Sequence, residues 1–120
     1  MDLSVLNALS GLQAAQRRFS VSAGNVVNSR SEGYLPHRVQ NIANADGGTR
    51  AVTVPVKPAS VPFFDFDGAR GEGGAVTERP NVALAGEIVE QIIAQRAFEA
   101  NLRTVETAND MTKRLLDTVA

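Results

Sequence analysis

From residue 2 to residue 28, apolar side chains recur at steps of three and four: Val5, Ala8, Leu9, Leu12, Ala15, Phe19, Ala23, Val26 and Val27. That spacing puts them on one face of an α-helix, with Ser4, Asn7, Gln13, Arg17, Arg18 and Ser22 lying away from it. A second pattern of the same period opens after Pro80, with Asn81 as candidate N-cap, and runs to Ala120 without another proline. Its main stripe is Leu84, Ala94, Ala97, Phe98, Leu102, Val105, Ala108, Leu115, Leu116 and Val119. Unbroken, this helix is roughly 55 Å long at 1.5 Å per residue, longer than a compact domain of this size is wide. Ala85, Ile88, Val89, Ile92 and Ile93 fall largely outside the stripe, so the first half of the helix is apolar nearly all round and predicts more than one neighbour. Each large aliphatic on that second face contributes roughly 1.5 to 3 kcal/mol on full burial. Left bare, they form a patch prone to association.

Between the helices the chemistry changes. Residues 29–80 hold all five prolines and most of the glycines, which excludes long helices there. AVTVPVKP (51–58) and VPFFDF (61–66) predict short extended or edge strands, and DGARGEGGAVTERP (67–80) predicts a mobile linker. The stretch NVVNSRSEGY (25–34) closes the first helix with turn-forming residues and predicts a joint. Asn28 falls in the C-terminal cap region, Gly33 supplies backbone freedom where the chain redirects, and Tyr34 is expected to pack back on the helices. The fold class is therefore mainly α, with long N- and C-terminal helices and a short irregular, β-containing middle. The chain divides into residues 1–34, 35–80 and 81–120.

Composition narrows the function. With 120 residues the default is one small domain, and with few aromatics and no tryptophan its core rests on Val, Leu, Ile and Ala. A net charge of −1 gives no electrostatic reason to bind nucleic acid or an anionic membrane. Zero cysteines exclude disulfides, thiolate metal sites and a cysteine nucleophile together. Asp2 precedes any basic residue and Arg17–Arg18 follow the apolar positions, the reverse of a secretory signal. No apolar run is long enough for membrane insertion.

Candidate chemistry is sparse. His37 is the only histidine; a triad with Ser31 and Asp46 lacks any nucleophile-elbow pattern, so no enzyme is expected. Glu87, Glu90, Glu99 and Glu106 lack the Glu-x-x-His pair of a carboxylate metal site, and GARGEGG lacks the Lys-Ser/Thr of a phosphate loop. No cofactor or metal is implied. Glu99 and Arg103 stand in the favoured order for a helical ion pair. Arg96 and Asn101 interrupt an apolar zone, which points either to hydrogen bonding across an interface or to ordinary solvent exposure.

The two ends together resemble the axial proteins of the bacterial flagellum, the rod and hook subunits. ALSGLQAAQRRFSVSAGNVVNSRSEGY is similar to that family's N-terminal signature at Asn25, Asn28, Gly33 and Tyr34, with Val27 and Ser31 standing where the family usually has Ala and Thr. PNVALAGEIVEQIIAQRAFEANLRTVETANDM is similar to its C-terminal signature at Asn81, Val82, Leu84, Glu87, Gln95, Arg96, Ala97, Phe98, Ala100, Asn101, Thr107, Ala108 and Met111. The short middle resembles a proximal rod subunit, since hook and distal rod subunits carry larger central domains. The resemblance implies that the terminal helices pair as a coiled-coil-like core and pack against other rod subunits, or copies of the same chain, in a helical tube. It also implies unfolded passage through the flagellar type III export apparatus without a cleaved signal, and residence in the periplasm-spanning rod of the basal body. On this reading the subunit interface draws on Leu12, Phe19, Asn25, Asn28, Gly33, Tyr34, Ile88, Val89, Ile92, Ile93, Arg96, Phe98 and Asn101. The rival from another class is a soluble helical adaptor or export-chaperone-like module, which explains the helices but not the joint or the Gln95–Asn101 signature.

Overall fold

The computed structural model describes residues 3–65 and 75–119. In chain order the elements are α1 (Leu3–Val27), β1 (His37–Ala43), β2 (Thr49–Pro55), β3 (Ser60–Asp65), β4 (Ala75–Pro80) and α2 (Leu84–Val119). The result is a thin body of 82 × 29 × 15 Å, mainly two antiparallel helices. The paired terminal helices and the short β-containing middle agree with the fold class read from the sequence.

The seam between α1 and α2 is a heptad of small and polar residues. Ala8, Ala15 and Ser22 are buried seven residues apart on α1, interleaved with Gly11, Arg18 and Asn25; α2 answers with Glu87, Ala94, Asn101 and Ala108. Gly11 shows how closely the backbones approach: a Cβ there would sit 2.6 Å from Asn101 Oδ1. The expected stripe of large apolar residues is therefore corrected. Leu9, Phe19 and Val27 on α1, and Leu84, Phe98, Leu102, Leu115 and Leu116 on α2, remain exposed, with Val27 at 79%. The physical reason is that small side chains allow close helix approach, and the bulky residues then point away from the shared axis. Of the expected stripes, the residues fully buried are alanines: Ala8, Ala15, Ala94 and Ala108.

On its other side α1 is covered by the β1–β2 hairpin. These strands pair antiparallel from His37↔Pro55 to Ala43↔Thr49, and the hairpin turn rests on the N-terminal half of α1. There the Thr49 amide donates to Ser10 Oγ at 3.0 Å, and Ser10 Oγ donates to the Asn7 carbonyl. Gly47 and Gly48 take φ of 93° and 76°, and a Cβ on Gly48 would meet Ser10 Oγ, so glycine is required twice over at this turn. The strand expected in 51–58 is thus β2, and its partner β1 lies in a stretch for which no strand was expected.

The β3–β4 hairpin pairs from Ser60↔Pro80 to Asp65↔Ala75 and packs on no other element among the described residues. The expected linker over residues 67–80 is corrected at its end, because Ala75–Pro80 form β4; residues 67–74 lie outside the described residues, as does Phe66 of the expected VPFFDF strand. Cross-strand pairing holds the segment in place: Arg79 stacks on the Phe63 ring with 3.5 Å to its centroid, and Ser60 Oγ donates to Glu78. Asn81 is not the cap of α2. The helix begins at Leu84, with Glu87 N donating to the Ala83 carbonyl, while the Asn81 side chain and amide donate to the Pro58 and Ala59 carbonyls and tie the helix entrance to the hairpin base.

Candidate functional site

Two features stand out: a polar joint and a set of bare aliphatic faces. The joint is built around Asn25, which is 1% exposed and uses its amide completely. Its Nδ2 donates to the His37 carbonyl at 2.7 Å and to Glu87 Oε1 at 2.9 Å; its Oδ1 accepts from Tyr34 Oη at 3.0 Å and from the His37 amide at 3.1 Å. One side chain thus binds α1, the entrance to β1 and the first turn of α2. Ser22 Oγ adds a bond to the Glu87 carbonyl, and Arg18 pairs with Glu90. The buried bonds contribute most of this, since the partly exposed ion pair is screened.

The rest of the joint follows from local chemistry. Asn28 Nδ2 donates at 2.9 Å to the Gly24 carbonyl, which also accepts the Asn28 amide at 3.1 Å, so side chain and backbone together close the last turn of α1, and Ser31 Oγ donates to Asn28 Oδ1. Gly33 turns the chain with φ of 73°, and Tyr34 then reaches back to Asn25 as expected. Burial, and after it the negative charge of Glu87, push the Tyr34 phenol above its ordinary value of 10.0. The neutral phenol is favoured in the fold, so its contribution is full below pH 10.0 and is lost as pH rises through the raised folded value. Tyr34 is the chain's one tyrosine, so a phenolate absorbance titration reads it alone. We expect half-ionisation above pH 10.0 where a stabilising osmolyte keeps the joint formed, and a return to 10.0 after Asn25 is substituted by Ala and the joint opens.

Of the other residues singled out in the sequence, Leu12 and Asn101 are half-buried, and Asn101 Nδ2 donates to the Ala97 carbonyl of its own helix at 2.8 Å. Arg96 is 78% exposed along its side chain and pairs with Glu99, which also accepts from Gln95; the pairing expected between Glu99 and Arg103 is replaced by these. Ile88, Val89, Ile92 and Ile93 form an exposed band on the first half of α2, Ile92 at 53%. Phe19 and Phe98 wall an open groove of about 490 Å³ whose floor is Ala15 and Ala94 and whose rim includes Gln16 and Gln95. At the far end, Met111, Leu115 and Leu116 are exposed on the part of α2 that overruns α1. Ser31 Oγ donates to Asn28, and among the described residues no hydrogen bond joins Ser31, His37 and Asp46. Sequence reasoning missed Ser22 and Glu87 as joint residues; the seven-residue spacing of Ala8, Ala15 and Ser22 was the available signal.

No helix among the described residues is long and apolar enough to cross a membrane. The family model described as "Flagellar basal body rod FlgEFG protein C-terminal" matches residues 72–118. Over 119 residues, covering 89% of both chains, the protein is 27% identical to the flagellar basal-body rod protein FlgC of Salmonella typhimurium. It is 28% identical over 131 residues to FlgC of Yersinia enterocolitica, covering 95% of this chain and 97% of that one.

Proposed function

The chain belongs to the flagellar basal-body rod protein family, and on that premise we propose that it builds the rod by laying the bare faces of its two terminal helices against neighbouring rod subunits, copies of itself included. The observation that carries this is the inverted helix pair: alanines are inside, and Ile88, Val89, Ile92, Ile93, Phe19 and Phe98 are outside. A chain stable by itself buries its large aliphatics, whereas this one leaves them for a partner. Contacts of this kind that do not close on themselves generate a tube, so the role is mechanical and needs no catalytic chemistry. Residues 1–34 and 81–120 act as the assembling units and 35–80 as the insert, held at one angle by Asn25, Asn28, Gly33 and Tyr34. Leu12 and Arg96 lie at the margins of the contact surface, while the half-buried Asn101 sits in the seam over Gly11. The proximal part of the rod suits the short insert, and export through the flagellar type III apparatus without a cleaved signal suits a chain that folds on its neighbours.

Hydrogen exchange tests this. The fully buried apolar residues of the helix pair are alanines, which bury little area, and a long helix has a costly nucleus. In the isolated chain at micromolar concentration, amides of residues 84 to 116 are expected to exchange freely, and in isolated basal bodies to be protected. Full protection in the isolated chain contradicts assembly-coupled ordering.

A further inference from the structure

We propose that Ser22, Glu87, Asn25, Gly11 and Asn101 together form a register latch, which fixes the heptad of α2 that each heptad of α1 faces. This rests on the fold alone and not on the rod reading. Ala15 and Ala94 floor the same groove and mark the native register. Advancing α2 by one heptad, about 10 Å, sets Ala94 against Ser22, Asn101 against Ala15 and Ala108 against Ala8. The alanine and serine layers remain small, so packing volume in that row does not oppose the slip. The slip also draws the bare overhang carrying Met111 and Leu115 towards α1, which favours it.

What opposes it is placed at the two ends of the seam, the partly exposed and screened Arg18–Glu90 pair adding to the joint end. At the joint end, Asn25 Nδ2 to Glu87 Oε1 and Ser22 Oγ to the Glu87 carbonyl form only in one register, and slipping strands the buried Asn25 amide and Ser22 hydroxyl. Two heptads along α1, the Asn101 side chain is held by its bond to the Ala97 carbonyl directly over Gly11. A Cβ at position 11 would lie 2.6 to 2.8 Å from three of its atoms, so this side chain needs a glycine opposite it, and a slip of seven residues offers it Arg18 instead. A polar residue that specifies register in an otherwise permissive seam is the best attested use of a buried amide in paired helices.

The chain has no cysteine, so introduced pairs report register without background. The test oxidises the full chain in a stabilising osmolyte carrying either Ala15→Cys with Ala94→Cys or Ala8→Cys with Ala108→Cys. A disulfide forms only between residues brought close together. With all other residues native, the first pair bridges and the second does not. In the Ser22→Ala, Glu87→Ala, Asn101→Ala background, which raises helix propensity at each position, bridging of the second pair rises at least about tenfold, as loss of a buried hydrogen-bonded group implies. Glu87→Gln in place of Glu87→Ala keeps an acceptor for Asn25 and restores the first pair. The proposal is overturned if the triple background still bridges the first pair alone or bridges neither pair. It is overturned equally if the native chain bridges both pairs or neither.

Discussion

Substituting Ile92 by Asp is expected to leave the chain expressed and soluble but to abolish rod assembly and motility. Ile92 is 53% exposed on the free chain, in the band with Ile88, Val89 and Ile93, so no contact within the subunit depends on burying it. Its cost to the isolated chain is that of an exposed helix substitution, roughly 0.5 kcal/mol. Within a subunit contact the balance differs. An isoleucine placed there contributes roughly 1.5 to 3 kcal/mol on burial, and an unpaired carboxylate is disfavoured by several kcal/mol more, or about a hundredfold or greater in affinity at each contact. Because every subunit repeats the contact, the loss is repeated along the rod. Normal swimming in the Ile92→Asp strain, with the variant present in basal bodies, removes the band from the interface.

The second large effect is expected at Asn25. Asn25→Ala leaves the His37 amide and carbonyl, the Tyr34 hydroxyl and the Glu87 carboxylate without the partner that now satisfies all of them. Each buried group left unpaired costs about 1 to 3 kcal/mol; two of them are backbone groups with no rotamer by which to reach water, so about 3 kcal/mol or more is expected. Where helix ordering is already marginal, that removes the joint. Assembly and motility should fail although no residue of the aliphatic band has changed, and Asn25→Asp should rescue poorly because a carboxylate there faces Glu87 without the donors that Nδ2 supplies. Wild-type rod formation by Asn25→Ala contradicts the role of the joint.

Much of this architecture was legible because it rests on strong local signals. Phe19, Ile88, Val89, Ile92, Ile93 and Leu102 recur at helical spacing, and no proline follows Pro80, so both helices follow from short-range chemistry. Which face each helix buries did not follow. Hydropathy weights Leu and Phe above Ala, Ser and Gly, whereas the seam is chosen by how closely two backbones approach, and that depends on Ala8, Gly11, Ala15 and Ser22 meeting partners 65 or more residues away. β4 was hidden for a similar reason: TERP reads as linker, and it becomes a strand through pairing with Ser60–Asp65 and through Arg79 over Phe63. Gly33 and Tyr34 were readable as a joint because a positive φ and a returning phenol are local events. The role of Glu87 was not, since a glutamate in a first helical turn ordinarily only answers the helix dipole. The exposed hairpin face with Phe64 at 74% and Val76 lies with the helix faces among the apolar surfaces that the subunit itself leaves uncovered.

The central claim is that this chain is a structural part of the rod, and electron microscopy of basal bodies purified with and without it tests that claim most directly. Basal bodies from the deletion strain should lack a complete rod, and those from the complemented strain should contain one with density for the paired terminal helices at its wall. Complete rods in the deletion strain, or complemented rods without this subunit, would contradict the account.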